Sequence, residues 1–186
     1  DAEILGLGEI LSTDLVYYFL KERGLSVERV KFFEIEPTPH LRPGAKLKSN
    51  PDFPIRAKQF REHDADPDLE ASRNKMQIVR ESLDKNDVLV APGYIARFGD
   101  GRAVTLGRGG SDTTLFVYAY GLGLRQCVLW KAVEGIRSAN PEIVPNNRLV
   151  KHFDPLEGLN LTSLGGDIVN YKGMQIAYEN DIEIVV

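Results

Sequence analysis

The residues of this chain with the clearest chemical potential lie at 107–112, which read Gly-Arg-Gly-Gly-Ser-Asp. Apolar residues follow at 115, 118, 119 and 122, which is the spacing of one face of a helix. Ser111 and Asp112 are both suitable N-cap residues for that helix. A glycine loop that leads into a helix N-terminus beside Arg108 attracts anions, because free N–H groups and the helix dipole point outward. The alternative is an ordinary glycine turn followed by a capped helix, and local chemistry alone leaves both open.

The elements that position this loop alternate between helical and extended patterns. Helices are predicted over residues 3–22, 68–83, 112–122, 154–164 and 167–179, and strands over 27–35, 87–91, 126–131 and 182–186, with a hairpin within 94–106. Six prolines between residues 36 and 67 predict a long loop. The alternation predicts an α/β domain with a mostly parallel sheet, in which ligands bind at the carboxyl ends of strands. The loops after Ala91, Leu106 and Trp130 are therefore the expected functional edge.

The predicted helices have apolar faces that we expect to point toward the core. In the first helix this stripe consists of Ile4, Leu7, Leu11, Leu15, Tyr18 and Phe19. In the second helix it consists of Leu69, Met76, Val79 and Leu83. The carboxylates of Asp64, Asp66 and Asp68 are expected to form a solvated cluster at the N-terminus of the second helix rather than an ion site. Asp154 is expected to cap the helix that starts near Pro155.

Composition limits the classes of function. The 186 residues, 42% hydrophobic and 27% charged, suit one globular domain. The net charge of −4 gives no electrostatic basis for nucleic-acid binding, and no apolar run is long enough to span a membrane. Cys127, the single cysteine, is expected to be a buried strand thiol, which fits a cytoplasmic protein. His40, His63 and His152 lack metal-ligand spacing, so no metal site is expected. The chain begins with Asp1 within a helical pattern, and we expect it to be part of a longer protein.

Four segments, taken in order, resemble the amino acid kinase family and aspartate kinases in particular. They are Gly8-Glu9-Ile10-Leu11-Ser12, Pro92-Gly93-Tyr94-Ile95-Ala96 with residues 101–106, the stretch 107–112, and residues 130–145. The stretch 107–112 is the most specific of these motifs, and residues 163–166 and 181–186 also follow the family order. The resemblance covers nearly the whole chain. It implies a three-layer αβα sandwich with a mainly parallel sheet, and a single partial domain over residues 1–186 without a regulatory domain.

The resemblance also implies an activity and a substrate site. Aspartate kinases transfer the γ-phosphoryl group of ATP, bound with Mg²⁺, to the side-chain carboxylate of aspartate in amino-acid biosynthesis. By resemblance, Arg108 would bind a carboxylate of the amino acid through its planar fork, and Glu9 would accept from the ammonium group. Gly109 and Ser111 would complete the substrate pocket, and Asp112 would be the catalytic residue that orients the reacting groups. Such a reaction relies on positioning and charge compensation.

The nucleotide side of the implied site lies in the C-terminal half of the chain. Its candidate residues are Lys131, Gly135, Asn140, Pro141 and Lys172. This side departs from the family pattern, because Arg137 replaces a tyrosine, Glu142 an arginine and Asp167 a lysine. The Lys-Phe-Gly-Gly-Thr phosphate loop of the family has no counterpart in these residues.

Two functions therefore stay open. The first is an aspartate-kinase-like catalytic domain, which would act as an enzyme in the intact protein. The second is a family member that binds an amino acid as a sensor or regulatory partner and has lost phosphoryl transfer. Both predict an amino-acid site at Glu9 and Arg108. A homo-oligomer is compatible with the resemblance.

Overall fold

A computed structural model of the protein describes residues 2–35, 47–131, 135–139, 143–152, 154–163 and 169–186. The helices are α1 Ala2–Glu22, α2 Leu69–Lys75, α3 Gln77–Leu83, α4 Gly110–Leu122, α5 Pro155–Ser163 and α6 Tyr171–Glu179. The strands are β1 Val27–Arg29, β2 Phe33–Ile35, β3 Leu47–Ser49, β4 Val88–Val90, β5 Ile95–Arg97, β6 Ala103–Thr105, β7 Gln126–Val128 and β8 Glu183–Val185.

The strands of the described residues form four pairs, two of them parallel. β1 pairs with β4 and β7 with β8 in parallel, whereas β2–β3 and β5–β6 are antiparallel. The hairpin predicted within 94–106 is confirmed, since β5 and β6 pair with Ala96 opposite Val104. Gly101 has the left-handed φ of +90° in its turn, which glycine adopts without strain. Helices alternating with parallel strands confirm the α/β class.

Two groups of helices enclose the core. α1 lies against β1, β4, β5 and β6, while α4 packs against α2 and α6, and α5 packs against α6. α4 also contacts β5 and β7. The largest fully buried apolar side chains between these elements are Phe32, Phe53, Phe116, Ile55, Met76, Ile95, Leu106 and Met174. Cys127 is buried on β7, as predicted.

The side of α1 that faces the core is opposite to the side that the sequence predicted. Its apolar stripe faces solvent, with exposed fractions from 40% at Leu7 to 72% at Leu15. The buried residues of the helix are the small Ala2, Gly6 and Thr13. A Cβ at Gly6 would lie 2.6 Å from Cγ2 of Ile95, so the helix approaches β5 through a position that only glycine allows. The close contact is thus made by small residues, and the large apolar side chains stay in water.

The segment predicted as one helix over 68–83 is two helices that meet at Met76. Asp68 caps α2 by accepting from the backbone N–H of Ala71, as an N-terminal carboxylate should. Met76 ends α2 and precedes α3, and its side chain is fully buried. Leu83 is 41% exposed, so the prediction that it points inward is wrong. Because the helix is divided at Met76, the apolar spacing from Leu69 to Leu83 does not describe one continuous face.

The remaining boundaries follow from caps and pairing. The strand predicted over 27–35 is divided because β1 pairs with β4 whereas β2 pairs with β3. Asp154 accepts from the N–H of Leu156 at 2.8 Å, which confirms it as the cap of α5. α6 begins at Tyr171 with Asn170 as its N-cap, later than the predicted start at Asp167, which lies outside the described residues.

Candidate functional site

The glycine loop joins β6 to α4 by two left-handed residues. Gly107 has a φ of +80° and Gly109 a φ of +71°, and the N–H of Gly110 donates to the carbonyl of Gly107 at 2.9 Å. Gly109 is the N-cap of α4 and makes no side-chain capping bond. The prediction that Ser111 or Asp112 caps this helix is therefore wrong. Both residues lie inside the first turn, which frees their side chains for other partners.

Glu9 on α1 and Ser111 on α4 meet at the mouth of a cavity. The hydroxyl of Ser111 donates to Oε1 of Glu9 at 2.7 Å. The cavity has a volume of about 460 Å³. Its lining comes from α1 through Leu5, Gly8, Glu9 and Ser12, from Tyr94, and from residues 107–111 of the glycine loop. The structure thus brings the predicted substrate residues Glu9, Arg108, Gly109 and Ser111 into one cavity.

Arg108 supplies the positive charge of this cavity. Its side chain is exposed, and within the described ranges no carboxylate forms an ion pair with its guanidinium. Its backbone carbonyl accepts a hydrogen bond from Nδ2 of Asn170 at 2.6 Å, and this bond ties the loop to the cap of α6. A guanidinium fork and the carboxylate of Glu9 in one cavity match the carboxylate and ammonium groups of an amino acid.

Asp112 points away from the cavity toward the end of β7. Its Oδ2 forms an ion pair of 2.8 Å with Nζ of Lys131, and the two side chains are 20% and 31% exposed respectively. The residue lies in the first turn of α4, directly after Ser111. Asp112 was predicted as the catalytic residue and Lys131 as a nucleotide-binding residue, and the two therefore form one ion-paired unit outside the lining of that cavity.

The other predicted nucleotide residues do not gather around that unit. Lys172 instead forms ion pairs with Asp64 at 2.7 Å and Asp66 at 3.1 Å. Gly135, with a φ of +109°, lines a separate cavity of about 320 Å³ near the C-terminal strand. Asn140 and Pro141 lie outside the described residues. The predicted solvated cluster of acidic residues is thus partly engaged by Lys172.

Several residues in or beside the cavity were not predicted from the sequence as site residues. Tyr94, with a left-handed φ of +66°, lines the cavity, and its N–H donates to Oγ1 of Thr114 at 3.1 Å. Gly93 precedes it, and a Cβ there would come within 3.0 Å of Ser111. The position of the Pro92-Gly93-Tyr94 turn directly after β4 could have indicated Tyr94, because ligands collect at strand ends. Asn170 had no such local signal.

The part of the chain that the structure describes holds neither a metal-binding cluster nor a membrane-spanning helix. Within it, no group of three or more histidine, cysteine, aspartate or glutamate side chains could hold a metal ion. None of the helices described is both long and apolar enough to cross a bilayer.

The family model and the similar curated proteins point to the same family. The sequence model of the amino acid kinase family matches residues 1–186. The aspartokinase of Rickettsia felis is 33% identical over 109 residues, which cover 59% of this chain and 27% of that protein. The aspartokinase of Corynebacterium efficiens is 36% identical over 100 residues, which cover 53% of this chain and 24% of that protein. The chain matches about a quarter of the length of these curated relatives.

Solved structures share the fold. Aspartokinase III of E. coli in complex with aspartate and ADP has a TM-score of 0.80 at 22% identity, over 98% of this chain and 36% of that chain. The aspartate kinase of Synechocystis has a TM-score of 0.69 at 22% identity, over 98% of this chain and 26% of that chain. These similarities confirm the predicted α/β fold of the kinase type.

Proposed function

This chain belongs to the amino acid kinase family, and from that membership we propose that it forms part of an aspartate-kinase-like phosphotransferase. The reaction would transfer the γ-phosphoryl group of ATP to the side-chain carboxylate of aspartate. The observation that carries the proposal is the cavity of about 460 Å³ that Glu9, Arg108 and Ser111 line together. Two opposite charges in one cavity suit a zwitterionic amino acid.

In this proposal each residue of the cavity has a binding task. The guanidinium of Arg108 binds a carboxylate of aspartate with two parallel N–H donors. Ser111 holds one oxygen of Glu9 at 2.7 Å, and the second oxygen accepts from the ammonium group of the substrate. Gly109, left-handed at the N-cap of α4, lets the loop lie close to Asn170 and so places Arg108 at the cavity. Holding the amino acid in this way orients its side-chain carboxylate for attack.

The phosphoryl donor is assigned to the side of the cavity where Asp112 and Lys131 form their ion pair. The E. coli relative was solved with both aspartate and ADP, which supports ATP as the donor here. Mg²⁺ bound with ATP needs only one or two protein carboxylates, and Asp112 fits that requirement. When bound, ATP would supply the phosphoryl group and Mg²⁺ would neutralise part of its negative charge. Lys131, which is paired with Asp112, would then compensate negative charge of the ATP phosphates.

A second function is favoured by the ion pairs of the two lysines that were predicted to bind the nucleotide. Lys131 is paired with Asp112, and Lys172 is paired with both Asp64 and Asp66. Carboxylates already offset both positive charges, so each offers less attraction to the phosphates of ATP. A family member that binds aspartate as a sensor, without phosphoryl transfer, would have these features.

Calorimetric titration separates the two functions. In the intact protein to which this chain contributes, binding of both L-aspartate and Mg-ATP, followed by formation of aspartyl phosphate in a hydroxamate assay, is expected for the kinase. Aspartate binding without Mg-ATP binding would refute the kinase and support the sensor. An absence of aspartate binding would refute both.

The contribution of Arg108 is tested by Arg108→Ala. The change should weaken aspartate binding at least about tenfold, since a charged hydrogen-bonded pair is lost. Arg125→Ala is the matched control, because it removes the same charge from the residue before β7, outside the lining of the cavity. Equal affinities for the Arg108→Ala variant and the unchanged protein would remove Arg108 from the site.

A further inference from the structure

We propose that Asn170 is a positioning residue for the amino-acid site, because its side chain sets the orientation of Arg108 from the N-terminus of α6. The proposal rests on the proposed function, since it concerns the residue that binds the substrate carboxylate. Asn170 lies 62 positions after Arg108 in the sequence, and its Nδ2 donates to the carbonyl of Arg108 at 2.6 Å. It is not among the residues that line the cavity, so it acts through Arg108.

Both the oxygen and the nitrogen of the Asn170 side-chain amide form hydrogen bonds. Oδ1 accepts from the backbone N–H of Lys172 at 2.9 Å, which caps α6, and from the hydroxyl of Thr113 at 3.0 Å. Nδ2 makes the bond to Arg108. One short side chain thus joins α6, α4 and the glycine loop. Only a group with a donor and an acceptor at this reach can make all three bonds, which is the chemistry of an asparagine amide.

The backbone of the loop is shaped to lie directly on this side chain. Gly109 has a φ of +71°, and a Cβ there would lie 2.8 Å from Cβ and 2.9 Å from Nδ2 of Asn170. A larger residue would push the loop away and break the bond to Arg108. The close approach and the left-handed conformation therefore both depend on glycine at 109.

The same helix end supports the other side of Arg108 through an ion pair. Nζ of Lys172 lies 2.7 Å from Oδ1 of Asp64, and a Cβ at Gly107 would collide with that carboxylate. Asp64 thus lies against Gly107 while Asn170 lies against Gly109. The two glycines that flank Arg108 thus lie against Asn170, the cap of α6, and against Asp64, the partner of Lys172 in its first turn.

This support matters because few contacts fix the side chain of Arg108 itself. Its guanidinium is exposed and forms no ion pair within the described residues, so only its backbone fixes the direction in which it leaves the loop. A long side chain on a mobile backbone loses more conformational freedom when it binds a ligand. A fixed backbone lowers that loss, and the bond from Asn170 is the direct means of fixing it.

Two substitutions separate this role from the cap of α6. Asn170→Asp and Asn170→Ser both retain a residue that caps helices well. The ionised carboxylate of Asp has no donor, and the hydroxyl of Ser lies one bond closer to the backbone than Nδ2, so neither replaces the bond to the carbonyl of Arg108. Both variants are expected to bind L-aspartate about five- to tenfold more weakly by calorimetry, as the loss of one hydrogen bond implies. Asn180→Ser is the matched control, because Asn180 Nδ2 donates to the carbonyl of Ile176 at the other end of α6. It should leave affinity unchanged.

Amide hydrogen exchange without ligand gives a readout that a capping role would not move. In both Asn170 variants the amides of residues 107–113 should exchange at least about tenfold faster, while those of α6 stay protected. Unchanged exchange in the loop would overturn the proposal. So would weaker aspartate binding in Asn170→Asp alone, since that result would point to the added charge. If the unchanged protein binds no aspartate, the proposed function fails, whereas the exchange result still decides whether Asn170 holds the loop.

Discussion

Ser111 and Glu9 are joined by a hydrogen bond of 2.7 Å across 102 positions of sequence. The bond connects the first turn of α4 to the middle of α1 at the cavity that Glu9, Arg108 and Ser111 line. It directs one carboxylate oxygen of Glu9, and thereby the negative end of the proposed site.

Ser111→Ala is expected to weaken the binding of L-aspartate about five- to tenfold. A hydrogen bond to a charged group at a partly exposed site contributes about 1 kcal/mol, and its loss lets the Glu9 carboxylate turn into solvent. Calorimetry measures the change. Ser163→Ala removes a hydroxyl that bonds within α5 and should leave the affinity unchanged. Equal effects of the two substitutions would contradict a specific contribution of Ser111.

Arg97→Lys is expected to lower the free energy of unfolding by about 2–3 kcal/mol. The Arg97 guanidinium is fully buried, donates to the carbonyls of Gly101 at 2.9 Å and Phe32 at 2.7 Å, and lies 3.8 Å from the ring centroid of Phe32. Burial lowers its pKa to about 10, which reflects the cost of holding the charge away from water. A lysine ammonium cannot reach both carbonyls and stack on the ring.

Urea denaturation measures the loss at Arg97, and Arg102→Lys is its control. Arg102 lies on the same hairpin but is exposed, so its substitution should change the free energy of unfolding by less than about 0.5 kcal/mol. A cost at Arg97 no larger than that at Arg102 would show that the two buried bonds contribute little.

Tyr118→Phe should leave stability unchanged or raise it by up to about 1 kcal/mol. Burial raises the pKa of Tyr118, and nothing in the described part of the chain accepts a hydrogen bond from its hydroxyl. Tyr120→Phe makes the same change where the hydroxyl donates to Glu70, and there we expect a loss of about 0.5–1 kcal/mol. Thermal or urea unfolding of both variants checks the opposite signs, and a clear loss in Tyr118→Phe would reveal a partner for that hydroxyl.

Asp66→Asn should destabilise the protein at pH 7, and the difference from the unchanged protein should shrink as the pH falls below 3.8. A hydrogen bond from Gln59 and the nearby Lys172 ammonium hold the pKa of the Asp66 carboxyl below its usual 3.8. The folded state then binds fewer protons than the unfolded state, so the carboxylate stabilises the fold above its unfolded pKa. That contribution is lost as the pH falls through the lower, folded value. Urea denaturation across pH 7 to 2.5 measures it, and a constant difference between the two proteins would refute the assignment.

Local chemistry predicted the parts of this fold that depend on neighbours in sequence. The β5–β6 hairpin, the cap by Asp154 and the buried thiol of Cys127 follow from turn residues, helix caps and apolar runs. The motif resemblance selected Glu9 and Arg108, and the structure brings both to one cavity.

Tertiary contacts decided what the pattern could not. Periodicity predicted α1 but not which side faces the core, because the contact at Gly6 depends on Ile95, far along the chain. The cap of α4 failed for a similar reason, since Ser111 bonds to Glu9 and Asp112 to Lys131 rather than to the helix end. Asn170 could not be found because its partner lies 62 positions away.

The exposed apolar side of α1 bears on Glu9, because both belong to one rigid helix of 21 residues. Ile4, Leu11 and Leu15 lie in water on that helix, while Glu9 reaches into the cavity. A partner that covered those side chains and preferred one placement of the helix would change the affinity for the amino acid. By thermodynamic reciprocity, the amino acid would change the affinity for that partner by the same factor. If the proposed function holds, one helix would link the two surfaces in a single equilibrium.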